Sequence, residues 1–336
     1  MTLLIFKKRN IFLLASLIIL AFAGCEYFEL MNYNEWLENQ DVKPAVYACG
    51  TIGSVSPLKG VYWKNNDPPI YLENCTSANS IYVSGQDVYV AGGYSTSPSY
   101  PAYWKNGKQI SLEHIGSAFA YDIEVCGGTV YVAGRDDGKA VLWINGREYQ
   151  LNNGGNDYSY AYSLYITDNG GIVDILIGGA YTTGTTYPCY WTDNGREFHP
   201  LSSSAQGQVN SIFHYGGTIF NGGYMSPNGT LWENDVVKYT ISGSQIKNIS
   251  VKNGAIYYTA GLNYYINSTM YTPNNAAAVL SGITVFNGNV YVNSVVSSRA
   301  VYWINTDGPY YFESNGETSN IGINSSIFVT WDTIKH

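Results

Sequence analysis

The sequence predicts an all-β protein, a seven-bladed β-propeller with four-stranded antiparallel blades. Three observations lead to this prediction. A strand-like segment recurs seven times and ends in glycine in six copies, and a second segment carrying tryptophan follows six of the seven. The copies are spaced about 41 residues apart, a period typical of propeller blades. The composition agrees, because 32 tyrosines and 36 glycines with only 12% charged residues favour strands and tight turns.

The first recurring segment is apolar, carries tyrosine and ends in glycine. Its clearest copies are residues 46–50, 88–92 and 130–134. Looser copies lie at residues 175–179, 219–223, 256–261 and 290–295. These residue types favour buried strands, so each copy is interpreted as the second strand, B, of a blade.

The second segment, interpreted as the third strand, C, carries the tryptophan and runs into a turn, as in Tyr103-Trp104-Lys105-Asn106-Gly107. Asn-Gly between two apolar runs predicts a tight hairpin, because both central residues of that turn need positive φ. Regular recurrence indicates packing between blades and not ligand stacking. The sixth unit departs, with Met270-Tyr271 where tryptophan is expected. The six tryptophans expected in the core are Trp63, Trp104, Trp143, Trp191, Trp232 and Trp303.

Two further strands complete each unit. A short strand, D, follows each turn, and another strand, A, precedes the next B strand, with A innermost in the ring. The mature chain opens with a B strand at Val46 and ends with an A-type strand at residues 327–330, so the two ends should pair within one blade and leave no open edge. Seven A strands are expected near residues 81, 123, 164, 212, 249, 283 and 327.

The repeated pattern resembles a group of bacterial lipoproteins built from YVAG…YWKNG blades, most fully at residues 130–134 and 103–107. It is more distantly similar to kelch-type propellers, whose second strand also ends in Gly-Gly, as at residues 92–93 here. Tyr and Trp are adjacent in this chain, whereas several residues separate them in kelch repeats. The resemblance covers residues 46–332. It implies a kelch-like propeller and no established activity.

The amino-terminal segment is interpreted as a targeting signal. Basic residues 7–9 precede an apolar run at residues 11–23, which is shorter than the roughly 20 residues that a spanning helix needs. Phe22-Ala23-Gly24-Cys25 resembles the bacterial lipoprotein cleavage site, although Phe22 stands where Leu, Val or Ile is usual. An ordinary secretory peptide cut near Ala23 is the alternative. The predicted divisions are a signal at 1–24, a lipidated tether or short amphipathic helix at 25–43, and a propeller at 44–336.

Charge and cysteine content limit the partners. The formal net charge is −8, and the signal carries three basic and no acidic residues, so its removal takes the charge to −11. Such a surface repels phosphate backbones, and nucleic acid is not expected as a partner. A monomer is expected, with no cofactor and no metal.

Four cysteines without close spacing are interpreted as small buried residues, with disulfides as the alternative: Cys49, Cys75, Cys126 and Cys189.

Ligand recognition is expected on one face of the ring. The A–B and C–D turns are short, whereas longer B–C and D–A loops are expected at residues 93–101, 180–188, 262–269 and 152–160. Loops on a rigid scaffold often carry binding sites, and tyrosine offers a flat face and a hydroxyl. The alternative is that the loop tyrosines only cover the surface of the loops and bind no ligand. The candidate ligand-binding tyrosines are Tyr94, Tyr100, Tyr158, Tyr160, Tyr181, Tyr187, Tyr224 and Tyr264, with Tyr265 beside the last.

A small or polar residue precedes the apolar position of every A strand, as expected where the innermost strands crowd the channel. Asp122 is the only charged residue of this set and is an additional candidate for ligand contact. The other members are Ser80, Ser163, Ser211, Asn248, Gly282 and Ser326.

Catalytic signatures are sparse. No HxxxH, GxSxG or Asp-box motif occurs. The adjacent carboxylates of Asp136 and Asp137 are typical of a turn, where such pairs are more often solvated than catalytic. No catalytic residue is therefore assigned. The preferred hypothesis is a binding or scaffold propeller at the cell envelope, held by lipid on Cys25 on the periplasmic or surface face of the outer membrane and recognising a protein or glycan. A lipid-anchored hydrolase or lyase acting on polysaccharide, and a structural subunit of an envelope complex, are the alternatives.

Overall fold

The computed structural model describes residues 43–54, 56, 58–94, 98–156, 158–168, 170–321 and 326–332. The predictions for residues 1–24, Cys25 and the tether lie outside these residues. The described chain consists of β-strands and a single 3₁₀ turn, Asp193–Gly195. No helix among the described residues is both long enough and apolar enough to cross a membrane.

The chain is a seven-bladed β-propeller, as predicted. Blades 2 to 7 are four-stranded antiparallel sheets in which consecutive strands are neighbours. The strands of blades 2, 3 and 4 are β4 (Ser77–Ser84), β5 (Asp87–Gly93), β6 (Pro101–Lys105), β7 (Lys108–Ser111), β8 (Ala118–Cys126), β9 (Thr129–Asp136), β10 (Lys139–Ile144), β11 (Arg147–Gln150), β12 (Tyr158–Asp168), β13 (Val173–Thr182), β14 (Thr186–Thr192) and β15 (Glu197–Pro200).

The remaining blades follow the same order. The strands of blades 5, 6 and 7 are β16 (Gly207–Tyr215), β17 (Thr218–Met225), β18 (Asn228–Glu233), β19 (Val236–Ile241), β20 (Ile246–Lys252), β21 (Ala255–Ala260), β22 (Asn263–Ile266), β23 (Thr269–Tyr271), β24 (Ile283–Phe286), β25 (Asn289–Val296), β26 (Arg299–Ile304) and β27 (Asp307–Tyr311). Blade 1 is made of β1 (Pro44–Ile52), β2 (Lys59–Lys64), β3 (Ile70–Tyr71), β28 (Ser319–Ile321) and β29 (Ile327–Trp331).

The described residues fall into two compact units. The propeller unit contains residues 43–165 and 175–332, and a small second unit contains the described residues among 166–174. These are the last residues of β12 and the first of β13. Within the small unit, the Gly171 N–H donates to Asp168 Oδ1 at 2.6 Å.

Blade 1 closes the ring with strands from both ends of the described chain. β29 runs antiparallel to β1, with Pro44 opposite Trp331 and Ala48 opposite Ile327, while β28 pairs with the last residues of β1. The Asp332 N–H donates to the Lys43 carbonyl at 2.8 Å. The predicted closure is confirmed, and blade 1 has four strand positions if β28 and β29 are counted as two segments of its A strand.

The tryptophans form the core between blades, as predicted, because each is at most 1% exposed. Trp143 packs with Val132 of its own blade against Tyr103 of blade 2. Its indole N–H donates to the Glu113 carbonyl, 2.6 Å away, which follows the outer strand of blade 2. Four other tryptophans donate in the same way to the preceding blade: Trp63 to Glu313, Trp104 to Glu73, Trp191 to Asn152 and Trp303 to Asn274. In these five blades the tryptophan therefore fixes the blade to its neighbour by packing and by one hydrogen bond.

The expectation for the sixth blade was wrong. Its third strand is β22 and not the segment around Met270, which lies on the outer strand β23. Tyr265 occupies the tryptophan position, opposite Tyr258 on β21, and the two rings stack with centroids 4.9 Å apart. Tyr258 stands where other blades carry a smaller residue, so the two tyrosines fill the space of the usual pair. The turn follows at Asn267, whose side chain accepts the Ile256 N–H as the turn asparagines of other blades do.

The polar residue of each A strand has a structural purpose that the sequence did not reveal. In blades 3 to 6 its side chain accepts the backbone N–H of the apolar residue in the next blade, and hydrogen bonds therefore join the inner strands of blades 3 to 7. Gly282 has no side chain, and Asn293 acts instead by accepting the Gly282 N–H at 2.7 Å and donating to Ser326 Oγ at 3.1 Å. The direct bonds are Leu164 N to Asp122 Oδ2, Ile212 N to Ser163 Oγ, Ile249 N to Ser211 Oγ and Ile283 N to Asn248 Oδ1.

The cysteines are buried, as expected, and no disulfide joins them within the described chain. Burial raises the pKa of the Cys75 thiol to about 12 and raises that of Cys189 well above its usual range. Both thiols therefore stay protonated at neutral pH and act as small apolar groups.

Candidate functional site

The loops only partly follow the prediction. In blade 2 the connection from β5 to β6 is long, and Tyr94 and Tyr100 lie in it. In blades 4 and 6, strands occupy much of the segments predicted as loops, residues 180–188 and 262–269. β-branched and aromatic residues continue the pairing there, since Tyr181 lies opposite Tyr187 in the β13–β14 ladder.

The candidate tyrosines do not form one surface. Tyr94 and Tyr100 stack loosely on each other, with centroids 5.5 Å apart, and Tyr100 contacts His114. Tyr181 is buried in blade 4 and donates its hydroxyl to the Ser202 carbonyl at 2.9 Å. Tyr264 is only 2% exposed and stacks on Tyr271 inside blade 6. Tyr187 contacts Tyr181, with ring centroids 5.5 Å apart. The remaining three, Tyr158, Tyr160 and Tyr224, lie at or near a single cluster.

Asp122 is buried between blades, with 1% of its surface exposed. Its Oδ1 accepts the Ser80 hydroxyl at 2.6 Å and the Ile123 N–H at 3.0 Å, and its Oδ2 accepts the Leu164 N–H at 2.8 Å. These contacts join blades 2, 3 and 4. They satisfy a buried carboxylate within the protein and leave it out of the surface cluster described next.

Four aromatic side chains line the start of the inner strands of blades 3 and 4. Phe119 and Tyr121 lie on β8, and Tyr160 and Tyr162 lie on β12. Within each strand the two rings stack, with centroids 6.1 and 5.6 Å apart. Tyr121 and Tyr162 join the two strands at 5.2 Å. We call these four residues, together with Arg135, the aromatic cluster.

Arg135 lies at the centre of the aromatic cluster. It is on β9, directly opposite Phe119 on β8. Its guanidinium carbon is 5.1 Å from the Phe119 ring centroid and 5.0 Å from that of Tyr160, so rings of two blades hold the cation between them. Such contacts stabilise an arginine without using its hydrogen-bonding capacity.

A cavity of about 290 Å³ adjoins the aromatic cluster. Arg135 and Tyr160 line it, together with Ser117 at the start of β8, the Asp137-Gly138 turn, and Tyr158. These residues lie where inner strands begin and second strands end, which is the face carrying the B–C and D–A connections. The face chosen from the sequence is therefore the one that contains this cavity, and Tyr158, at 53% exposed, is its most accessible aromatic wall.

Burial controls the ionisation of two of the cluster's phenols, Tyr121 and Tyr162. It raises the pKa of Tyr121 and raises that of Tyr162 further, while the positive charge of Arg135 lowers both in part. Tyr224, on β17 of blade 5, adds to the rise at Tyr162 and so belongs to the surroundings of the cluster. Tyr121 and Tyr162 are therefore neutral at neutral pH and can donate as well as accept hydrogen bonds.

The sequence contained a signal for this cluster that the search for loop tyrosines missed. The residues one and three positions before the polar A-strand residue are aromatic in blades 3 and 4. In blades 2 and 5 the nearer position is Asn79 or Asn210, whose side-chain amide donates to a backbone carbonyl of the next blade. Comparison of the repeats position by position identifies Phe119, Tyr121, Tyr162 and Arg135 as departures from the blade pattern.

A pair of carboxyl groups between blades 2 and 3 serves the fold. Both Asp136 oxygens accept backbone N–H groups, from Ile115 at 2.6 Å and Gly116 at 3.0 Å. Partial burial, a hydrogen bond with Asp136 and the charges of Asp136 and Glu113 together raise the pKa of Glu148 to about 7. One Glu148 oxygen is buried and has no hydrogen-bond partner among the described residues. Asp136 thus holds residues 115 and 116 against blade 3.

Comparisons with known proteins identify the fold only. The sequence matches no protein-family model, and no curated protein is similar to it. The computationally designed Ika8 protein matches with a TM-score of 0.50 and 12% identity over 85% of this chain and 96% of its own. A 6-phosphogluconolactonase from Bacteroides uniformis (TM-score 0.47, 11% identity) covers 85% of this chain and 99% of its own. The extracellular domain of a one-component system from B. thetaiotaomicron (0.46, 12%) covers 84% and 40%.

Proposed function

We propose that the protein is a non-catalytic binding propeller displayed at the cell envelope, and that it recognises a glycan or a protein segment through the aromatic cluster and the adjoining cavity. The single observation that carries the proposal is the arrangement of aromatic rings around Arg135 beside a cavity at the loop face. Binding sites commonly combine aromatic walls with a few polar groups that fix orientation.

Departure from the repeat supports a binding function for the cluster over a packing function. The fold is maintained by features that recur in most blades, namely the tryptophans, the turn asparagines and the polar A-strand residues. The aromatic pairs of blades 3 and 4 are additional to these. Replacing polar residues by large aromatic ones at a solvent-facing position costs solubility, and that cost is offset if the rings contact a ligand.

Display at the membrane rests on the sequence. The targeting segment, with Cys25 at its end, supports export and lipidation, and the negative charge of the mature chain disfavours binding to anionic head groups. We place the protein in the outer membrane, on its periplasmic or outer face, with lipid on Cys25 as the anchor.

Replacing Phe119 and Tyr160 by alanine tests the binding proposal. We expect the double variant to lose at least about tenfold in affinity for whichever glycan or envelope protein the wild type retains, because each ring contributes roughly 1 kcal/mol or more of contact. Binding is measured on a glycan array and by pull-down from envelope extract, followed by titration calorimetry of each retained ligand.

The matched control replaces two tyrosines that lie on outer strands. Tyr149 and Tyr310 are about as exposed as Tyr158, at 44% and 43%, but lie on β11 and β27. The Tyr149→Ala, Tyr310→Ala double variant should bind like the wild type. Equal affinity of the wild type and the Phe119→Ala, Tyr160→Ala variant would remove the aromatic cluster from the binding site.

A further inference from the structure

Arg135 stands at a position where no other blade carries a charge. It lies three residues after the B-strand residue that faces the tryptophan, as the registers of β9 and β10 show. The equivalent position in the other six blades holds a small, apolar or aromatic residue, so the repeat does not need a cation there. Those residues are Thr51, Gly93, Ala180, Tyr224, Gly261 and Val295.

The guanidinium is held in place without a charge partner. No carboxylate among the described residues forms an ion pair with it. Its Nε is buried and has no hydrogen-bond partner in the described chain. A buried donor without an acceptor is unfavourable, whereas the stacking of Phe119 and Tyr160 fixes the plane of the group in advance. The Nε itself is out of reach of a ligand, but Arg135 also lines the cavity, so a cation of fixed orientation without a carboxylate partner in the described chain faces that space.

A carboxylate is the acceptor that fits best. Arginine binds carboxylates through two parallel N–H···O bonds, and the cavity beside it offers a single cation. Asp137 lines the same cavity, and the whole chain carries a net charge of −8, so a densely charged polyanion would be repelled. An isolated carboxylate on an otherwise neutral ligand avoids that repulsion.

We propose that Arg135 recognises the carboxylate of a uronic-acid unit in a sparsely charged acidic oligosaccharide. This rests on the proposed function, since it names the ligand class of the same site. The faces of Tyr158 and Tyr160 contact the sugar rings, and the Asp137 carboxylate and Ser117 hydroxyl bond sugar hydroxyl groups. An acidic peptide would also offer a carboxylate, but the Asp137 carboxylate and the ring faces favour a ligand rich in hydroxyl groups.

The decisive test changes the ligand and leaves the protein intact. A panel of oligosaccharides with one uronic acid each, such as glucuronic-acid-substituted xylotriose, is compared by titration calorimetry with the methyl esters of the same compounds. The ester keeps the sugar and removes the charge. We expect the wild-type protein to bind at least one free acid about tenfold to a hundredfold more tightly than its ester, the effect of a hydrogen-bonded charge.

Variants then assign the difference to Arg135. Arg135→Gln should bind acid and ester equally, and Arg135→Lys should keep only part of the preference, because lysine lacks the planar fork. The matched control is Arg147→Gln, which removes an arginine stacked on Tyr149 on the outer strand of the same blade and should keep the full preference.

The outcomes separate this inference from the proposed function. Equal binding of acid and ester by the wild type, or a preference that survives in Arg135→Gln, overturns the recognition of a carboxylate by Arg135 while a glycan site stands. Binding of acidic peptides but of no acidic sugar in the panel overturns the ligand class. If no ligand responds to Phe119→Ala, Tyr160→Ala either, the proposed function fails as well. The comparison of acid and ester uses only the wild-type protein, so it can refute the inference even if Arg135→Gln does not fold.

Discussion

Deleting residues 326–336 is expected to abolish the cooperative folding of the propeller. The deletion removes β29, whose five residues pair with β1 from Ala48 back to Pro44. It removes the buried side chains of Ile327 and Val329, worth roughly 1.5–3 kcal/mol each. It also leaves the edge of β1 unpaired inside the ring. The total approaches the ~5–15 kcal/mol stability of a typical domain. Loss of the near-UV circular dichroism signal and of the thermal transition would show the effect.

A circular permutant provides the matched control for the deletion. The Asp332 N–H lies 2.8 Å from the Lys43 carbonyl, so a short Gly-Ser linker can join these ends. New termini are then opened in the A–B turn of blade 5, at Gly216-Gly217, where nothing packs closely on either glycine. This protein keeps every strand and should unfold cooperatively near the wild-type temperature. A deletion variant that unfolds like the wild type would show that blade 1 does not depend on strands from both chain ends.

Replacing Cys25 by serine is expected to transfer the protein from the membrane fraction to the soluble fraction. One acyl chain gives marginal binding and several chains give stable anchoring, at about 0.8 kcal/mol per buried CH₂. Loss of all chains at one residue should therefore change the distribution almost completely. The measurement is sedimentation of cell lysate combined with metabolic labelling by radioactive palmitate.

Phe22→Leu is the control for this experiment. It restores the residue type usual at that position of lipoprotein signals and should be labelled at least as well as the wild type. Palmitate labelling that persists in Cys25→Ser would refute lipidation at Cys25. If the wild type and the Cys25→Ser variant are both unlabelled and both soluble, the result would favour an ordinary secretory signal cut near Ala23.

The fold could be predicted because each blade packs against its neighbour through equivalent positions and so needs similar residues there. Tryptophan at a fixed place between blades and Asn-Gly at a fixed turn recur for local reasons, and a repeat makes such reasons visible in one sequence. The prediction was wrong in blade 6, where Tyr258 and Tyr265 together fill the volume that a smaller residue and a tryptophan fill elsewhere. A search for tryptophan alone could not identify this position, because two tyrosines on neighbouring strands replace it.

The site could be predicted only as a face of the ring. Tyr158 was selected because recognition often lies on loops, and it is the exposed first residue of β12, whereas Tyr181 and Tyr264 are buried within strands. Arg135 and the two rings that contact it, those of Phe119 and Tyr160, come from three strands of two blades. Their meeting depends on the lateral contact between blade 3 and blade 4, which a pattern within one repeat does not contain.

Hydroxyl-radical footprinting with mass spectrometry tests the central claim most directly, because it reports every aromatic side chain of the unmodified protein at once. The protein is oxidised with and without saturating amounts of a ligand that the wild type retains. We predict that Phe119, Tyr158 and Tyr160 become protected several-fold, while Tyr149 and Tyr310 on outer strands are oxidised as before. Protection confined to the blade 2 loop, at Tyr94 and Tyr100, or to the outer strands would contradict the assignment of the binding site.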